Sequence, residues 1–267
     1  MKTLVHRLQK LWRSLGAVSY RYPAVDIAVG SRQLHLVGSI HMGTGNMMPL
    51  PALLMDRLQR ADALIVEADI SAGASPFNRG EECAPLAQRL PLQQLQQLQR
   101  LCGELGVDPL RVDTLPAWQI ALMLQAQQAQ RLGLRADCGI DLQLLQAAHA
   151  QSIRVIELEG AEAQLTLLQS LADNGLALLE DTLKHWHTNA RLLQTMVSWW
   201  LEAPPGSMRK LELPGTFSSG LNDLLMTQRN LQWCRLIQQL PPGRYVVAVG
   251  ALHLYGEGNL PGLLSGG

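Results

Sequence analysis

The chain has 267 residues, 47% of them hydrophobic, and its 22 lysines and arginines balance 22 aspartates and glutamates to a formal net charge of zero. Apolar residues spread over that length can bury a sizeable core, which excludes a disordered chain. With charge balanced and no block of basic residues, the electrostatic footprint of a nucleic-acid binder is missing.

The chain opens on "MKTLVHRLQKLWRSLGAVSYRYP". Basic residues run through it, and it has neither an unbroken apolar stretch nor a small-x-small cleavage site, so it does not read as a secretory signal. Residues 1–19 predict an amphipathic basic helix, with Leu4, Leu8, Leu11, Trp12 and Leu15 opposite Lys2, Arg7, Lys10 and Arg13. Two readings stand: residues 1–16 dock on their own domain, or they make a peripheral membrane contact. No apolar run of about 18 residues spans a bilayer, and the expected location is cytoplasmic.

Residues 20–267 read as a single α/β domain. "AVDIAVGSRQLHLVGS" predicts a β-hairpin around Gly30-Ser31, its second strand leaving at Gly38 and delivering His41. Pro49 and Pro51 announce a helix to about Arg60. "ALIVEAD" (63–69) is a continuous apolar run that predicts a strand buried on both faces. Residues 71–90 predict an irregular excursion, and the leucines from Leu92 to Leu105 recur at helical spacing. Pro116 opens a helix towards Leu132, "GIDLQLLQAAHAQ" predicts another, and "IRVIELE" (153–159) a strand. Helices follow from about Glu162 to Leu201, a Pro- and Gly-rich loop over 203–215, and a helix over about Leu221 to Gln239. The last strand begins after Pro241-Pro242 and ends in "VGALHLYGEG". The architecture expected is a small central β-sheet with an N-terminal hairpin and a mainly helical middle, inserted over about 91–150 and 162–240.

Each strand exit carries chemistry. Two exits read Gly-x-x-His, at Gly38–His41 and Gly250–His253; the others carry Glu67 with Asp69 and Glu157 with Glu159. If the four strands run parallel, two imidazoles and several carboxylates converge on one edge. Alternation along an extended chain would put Glu67 and Asp69 on one side, and Glu157 and Glu159 likewise. The site glycines, Gly38 and Gly250, would admit backbone angles that a Cβ resists and leave room for a ligand. Two imidazoles and a carboxylate suit a divalent metal, which would make hydroxide available near neutral pH.

"LVGSIHMG", "ALIVEAD", "GIDLQLLQAA", "VIELEGAEAQ", "QRN" and "VGALHLYGEGNLPGLL" occur in that order, and together they resemble the TraB/GumN family, also called TIKI-like. The resemblance covers about Tyr20 to Leu264. It implies a metal-dependent peptidase, because animal members use manganese or cobalt, while bacterial members are linked to turning off peptide pheromones. Carried over by residue, it makes His41 and His253 metal histidines, Glu67 their acidic partner, and Arg229 the group that binds a substrate carboxylate or steadies an oxyanion. It makes Glu159 a second ligand or base, and it marks Asp141, although capping the helix that follows explains that residue as well. Asp69, Asn230 and Glu257 complete the candidate set.

The expected function is therefore hydrolysis of a peptide or related amide bond, with Mn²⁺, Co²⁺ or Zn²⁺ as cofactor, Glu67 or Glu159 moving the proton and Arg229 steadying charge. The alternatives are a metal- or haem-binding regulatory protein of the same fold, and a metal-free hydrolase with a histidine base. "HWH" (185–187) is read as structural, because side chains two apart on a helix diverge. Trp199 and Trp200 are expected in the core, His35 on the sheet face away from Leu34 and Leu36, and the four cysteines reduced. No nucleophile elbow, P-loop or His-Glu-x-x-His helix is present.

Overall fold

Alternating Val, Ile and Leu build the sheet, and the turns between them set its edges. The computed structural model describes residues 20–71, 82–204 and 214–266. The expected helix over 1–19, the middle of the 71–90 excursion and most of the 203–215 loop lie outside the described residues. Strands β1 (Ala24–Val29) and β2 (Arg32–Ser39) form the expected antiparallel hairpin. Its turn takes Gly30 to a φ of +58°, a left-handed angle that glycine adopts without penalty.

Strands β3 (Ala63–Val66), β4 (Val155–Glu157) and β5 (Gly243–Gly250) complete a five-stranded sheet in the order β1-β2-β5-β3-β4. β2, β5, β3 and β4 are mutually parallel. All four exits therefore lie on one edge, as the convergence argument requires. β3 and β4 are shorter than expected, so Glu67, Asp69 and Glu159 stand beyond the paired strands, where strict alternation no longer governs them.

The central strands are apolar on both faces. Leu64, Val66, Val246 and Ala248 pack with Leu54 and Leu58 of α1 (Ala52–Gln59), Ile140 and Leu144 of α4 (Ile140–Ala150), and Trp200 of α7 (Trp186–Leu201). Ile65, Val247 and Val249 face the other way, against Trp199 of α7 and Trp233 and Ile237 of α8 (Gln228–Gln239). A third core is wholly helical, where Leu98 and Leu101 of α2 (Leu92–Leu105) meet Trp118 and Leu124 of α3 (Ala117–Arg131). Leu168 of α5 (Ala161–Gln169) and Leu179 of α6 (Leu176–Lys184) join it. Trp186 is buried there while His187 of the same "HWH" is exposed, which fits a structural reading. Cys102, Cys138 and Cys234 are buried thiols.

Two details position the site. Asp223–Thr227, just before α8, forms a π-turn, a local widening of the helix that often accompanies functional sites. The Trp200 indole N–H, buried against the sheet, donates to the Gly38 carbonyl at 3.0 Å and pins the β2 exit.

Candidate functional site

His41 lies two residues past β2, and glycines bring its partner to it. A Cβ on Gly43 would sit 2.3 Å from the Cys138 carbonyl oxygen, and one on Gly139 2.3 Å from that of His41. Only bare backbone allows these segments to meet. Ile140 N–H donates to the Ile40 carbonyl at 3.0 Å, and Gly43 pairs with Arg135 in a short bridge. The contact delivers Asp141 to His41, whose Nδ1 bonds Asp141 Oδ2. Asp141 is not the helix cap: Gly139 holds that position, and Asp141 sits in the first turn of α4. Its side chain is 8% exposed and that of His41 67%, so the imidazole reaches from a buried carboxylate into solvent. The Asp141 charge, opposed by desolvation, raises the His41 pKa from 6.5 to about 9.

His253 sits in the turn after β5 and is 4% exposed. Its Nδ1 bonds Asn230 Oδ1 at 2.7 Å. Asn230 Nδ2 donates to the Gly258 carbonyl at 3.0 Å, which sets which end of the amide faces the histidine. His253 therefore carries its proton on Nδ1 and turns the Nε2 lone pair towards Arg229 Nη1, 3.5 Å away. Burial lowers its pKa to about 4, reinforced by the positive charge of Arg229 and offset in part by Glu67.

Between the acidic exits stands Arg229, from the first turn of α8. Its Nη2 donates to Glu67 Oε2 at 2.7 Å, and its Nε and Nη2 each donate to Glu159 at 2.8 Å. Its Nη1 reaches the Leu225 carbonyl, within the π-turn, at 3.3 Å. Glu67 Oε1 accepts the Gly250 backbone N–H at 2.6 Å. Burial pushes the Glu67 carboxyl up, and nearby positive charge more than offsets it and holds it below the usual range. With His253 neutral near pH 7, that charge is supplied by Arg229 and His41.

Several expectations are corrected here. Neither Gly38 nor Gly250 has a positive φ, so unusual backbone angles do not explain them. Close approach does: a Cβ on Gly38 would lie 3.1 Å from the Ala251 Cα, and one on Gly250 3.3 Å from Glu67 Oε1. Asp69 does not share a side with Glu67. It bonds Ser71 and pairs with His149 at 3.4 Å, while its N–H donates to Glu157 at 2.6 Å. Glu157 thereby turns away from Glu159, and Glu257 is exposed outside the cluster. Arg229 spends its fork on protein carboxylates and is not open to grip one from a substrate.

One residue of the cluster carries no sequence signal. Trp233, fully buried, donates from Nε1 to Glu159 Oε1 at 2.9 Å and stacks between Arg229 and His253. Gln164 donates to Glu67 at 3.2 Å and to Glu159 at 3.3 Å. Gly43, Gly139 and Gln164, by contrast, stand inside "LVGSIHMG", "GIDLQLLQAA" and "VIELEGAEAQ".

The model of one family, described as TraB/PrgY/gumN, matches residues 25–266. The chain belongs to the TraB/PrgY/gumN family. Within it, the chain is 57% identical over 262 residues to "Uncharacterized protein YbaP" of Escherichia coli K12, covering 98% of this chain and 99% of that one. A Shigella flexneri protein of the same name matches equally well. No solved structure matches. Both G-x-x-H exits, Glu67, Glu159 and Arg229 fall inside the segment that matches the TraB/PrgY/gumN model.

The family resemblance raises a metal, and the donor set can be tested against one. Both imidazoles have Nδ1 engaged by an outer acceptor, as metal-binding histidines do, although His253 Nε2 faces Arg229 Nη1 at 3.5 Å. The carboxylate does not fit, because both Glu67 oxygens already accept hydrogen bonds. Among the described residues no three His, Cys, Asp or Glu side chains are placed to hold a metal ion together. The histidines fit such an ion, and Glu67 as it stands does not.

Proposed function

We propose that this protein hydrolyses a peptide or related amide bond at the edge shared by His41 and His253. The observation that supports it is the opposite treatment of two imidazoles. A buried carboxylate backs His41 and favours its charged form; a neutral amide and a dry pocket back His253 and favour its free base. Environments that push two titratable groups apart assign an acid and a base. His253 Nε2 takes the proton of an attacking water, and His41 donates one to the leaving nitrogen. Arg229 favours the ionised form of Glu67 and sets positive charge where the tetrahedral oxyanion grows.

A second reading rests on the outer partners of the two Nδ1 atoms. A divalent ion would be held by His41 and His253, with Glu67 joining once it leaves Arg229, and would supply Lewis acidity to water. One experiment separates the two. Tag-free protein is assayed for metal by elemental mass spectrometry, and for cleavage of a broad peptide library with and without chelator, beside His41→Ala and His253→Ala. Chelator-resistant cleavage lost in both variants supports the acid–base route. Near-stoichiometric metal lost in both variants, with cleavage lost on chelation, supports the second. No cleavage by metal-free or Mn²⁺-, Co²⁺- or Zn²⁺-loaded protein overturns the hydrolase reading.

A further inference from the structure

At the opposite edge of the sheet, where the parallel strands begin, the surface turns cationic. A groove of about 490 Å³ opens there, lined by Arg57 and Arg60 from the end of α1 and by Arg244 from the start of β5. Strand register explains its floor. Asp26, His35 and Val246 lie side by side, as do Ala28, Gln33 and Arg244 one pleat further on, and alternation points all six to one face.

The floor is fixed and already satisfied. His35 is 4% exposed, with one ring nitrogen on Asp26 at 2.7 Å and the other on the Tyr22 hydroxyl at 3.0 Å. Asp26 Oδ2 accepts from the Tyr20 hydroxyl at 2.5 Å and from Arg57 Nη2 at 3.1 Å. The Asp26 carboxylate is thus used up by three partners from this chain, and the Asp62 carboxylate accepts the Arg244 backbone N–H at 2.7 Å. Arg60 and Arg244 are exposed and have no ion-pair partner among the described residues. Cations in the last turn of α1 suit its dipole, which gives Arg57 and Arg60 a structural reason to be there. Arg244 comes from another element and has no such reason.

We propose that the groove binds a small polyanion, a molecule bearing two or more phosphate or carboxylate groups, independently of the histidine edge. Planar guanidiniums from separate elements can each take an anionic group bidentately, which selects spaced negative charges over a single one. The test is calorimetric titration of the full chain with pyrophosphate and, separately, citrate. Arg60→Glu/Arg244→Glu is compared with Arg100→Glu/Arg111→Glu, an equal charge change at exposed sites on the helical region, and with His41→Ala. Saturable one-to-one binding of either probe is expected, weakened at least tenfold by the groove pair and unchanged in the other two variants. Pyrophosphate alone marks a phosphate ligand, citrate alone a carboxylate one. Absence of saturation, equal weakening by both arginine pairs, or loss in His41→Ala overturns the proposal.

Discussion

Arg229 carries the electrostatics of the acidic exits, and its removal shows what they cost. The Glu67 and Glu159 side chains are 10% and 7% exposed, so Arg229→Met strands two carboxylates away from water. Breaking a buried pair by deleting one partner costs about 3–5 kcal/mol, and urea unfolding of this variant should show a loss of that size. Arg229→Lys should recover only part, since one ammonium cannot replace a fork that serves both glutamates. An unshifted midpoint for Arg229→Met would mean that the cluster does not carry this load. Asp141→Asn tests the other histidine: it keeps the shape of the partner and deletes its charge. The His41 titration, followed by NMR on labelled imidazole, should fall from about 9 towards 6.5. A midpoint that stays put would remove Asp141 as the cause.

At the scale of elements, the site depends on how closely the exits of β2 and β5 approach. A methyl on Gly38 meets the backbone and Cβ of Ala251, which cannot swing aside, whereas one on Gly250 meets the Glu67 carboxylate. Gly38→Ala is therefore expected to lower the unfolding free energy by about 1–3 kcal/mol, the usual cost of overpacking a filled site. Gly250→Ala should cost less in urea and fall mainly on activity, because it displaces Glu67. Equal losses in both would place the constraint elsewhere. These exits were legible in the sequence because local pattern encodes them: an apolar run, a small residue, then a histidine. Strand direction and the order β1-β2-β5-β3-β4 were not, since pairing between residues as distant as Leu36 and Val247 leaves no local trace. The outer partners divide in the same way. Asp141 and Asn230 stood in recognisable segments, but Trp233 lies outside them, and only the path of α8 lays it under Arg229.

Over the whole molecule, the four parallel strands sort side chains by edge, with the histidines and glutamates of the cluster where the strands end and Arg57, Arg60 and Arg244 where they begin. The titrating groups of the first edge give stability a definite pH profile. Folded His253 stays neutral down to about pH 4, while in the unfolded chain it takes up a proton near 6.5. Acid between those values therefore favours the unfolded chain, and stability falls as pH drops from about 6.5 to about 4. Glu67, held below its ordinary range, deepens the loss at the acid end of that window. His41 acts at the other limb. Its folded pKa is raised to about 9, so its contribution is complete below pH 6.5 and fades as pH rises through 9. Urea midpoints measured from pH 4 to pH 10 should therefore peak near neutrality. His253→Gln, which keeps a polar side chain of similar reach, should flatten the acid limb alone, and His41→Ala the alkaline limb alone. If either variant flattens both limbs, the two imidazoles titrate as one coupled unit, and the separate roles of acid and base argued for them fall together.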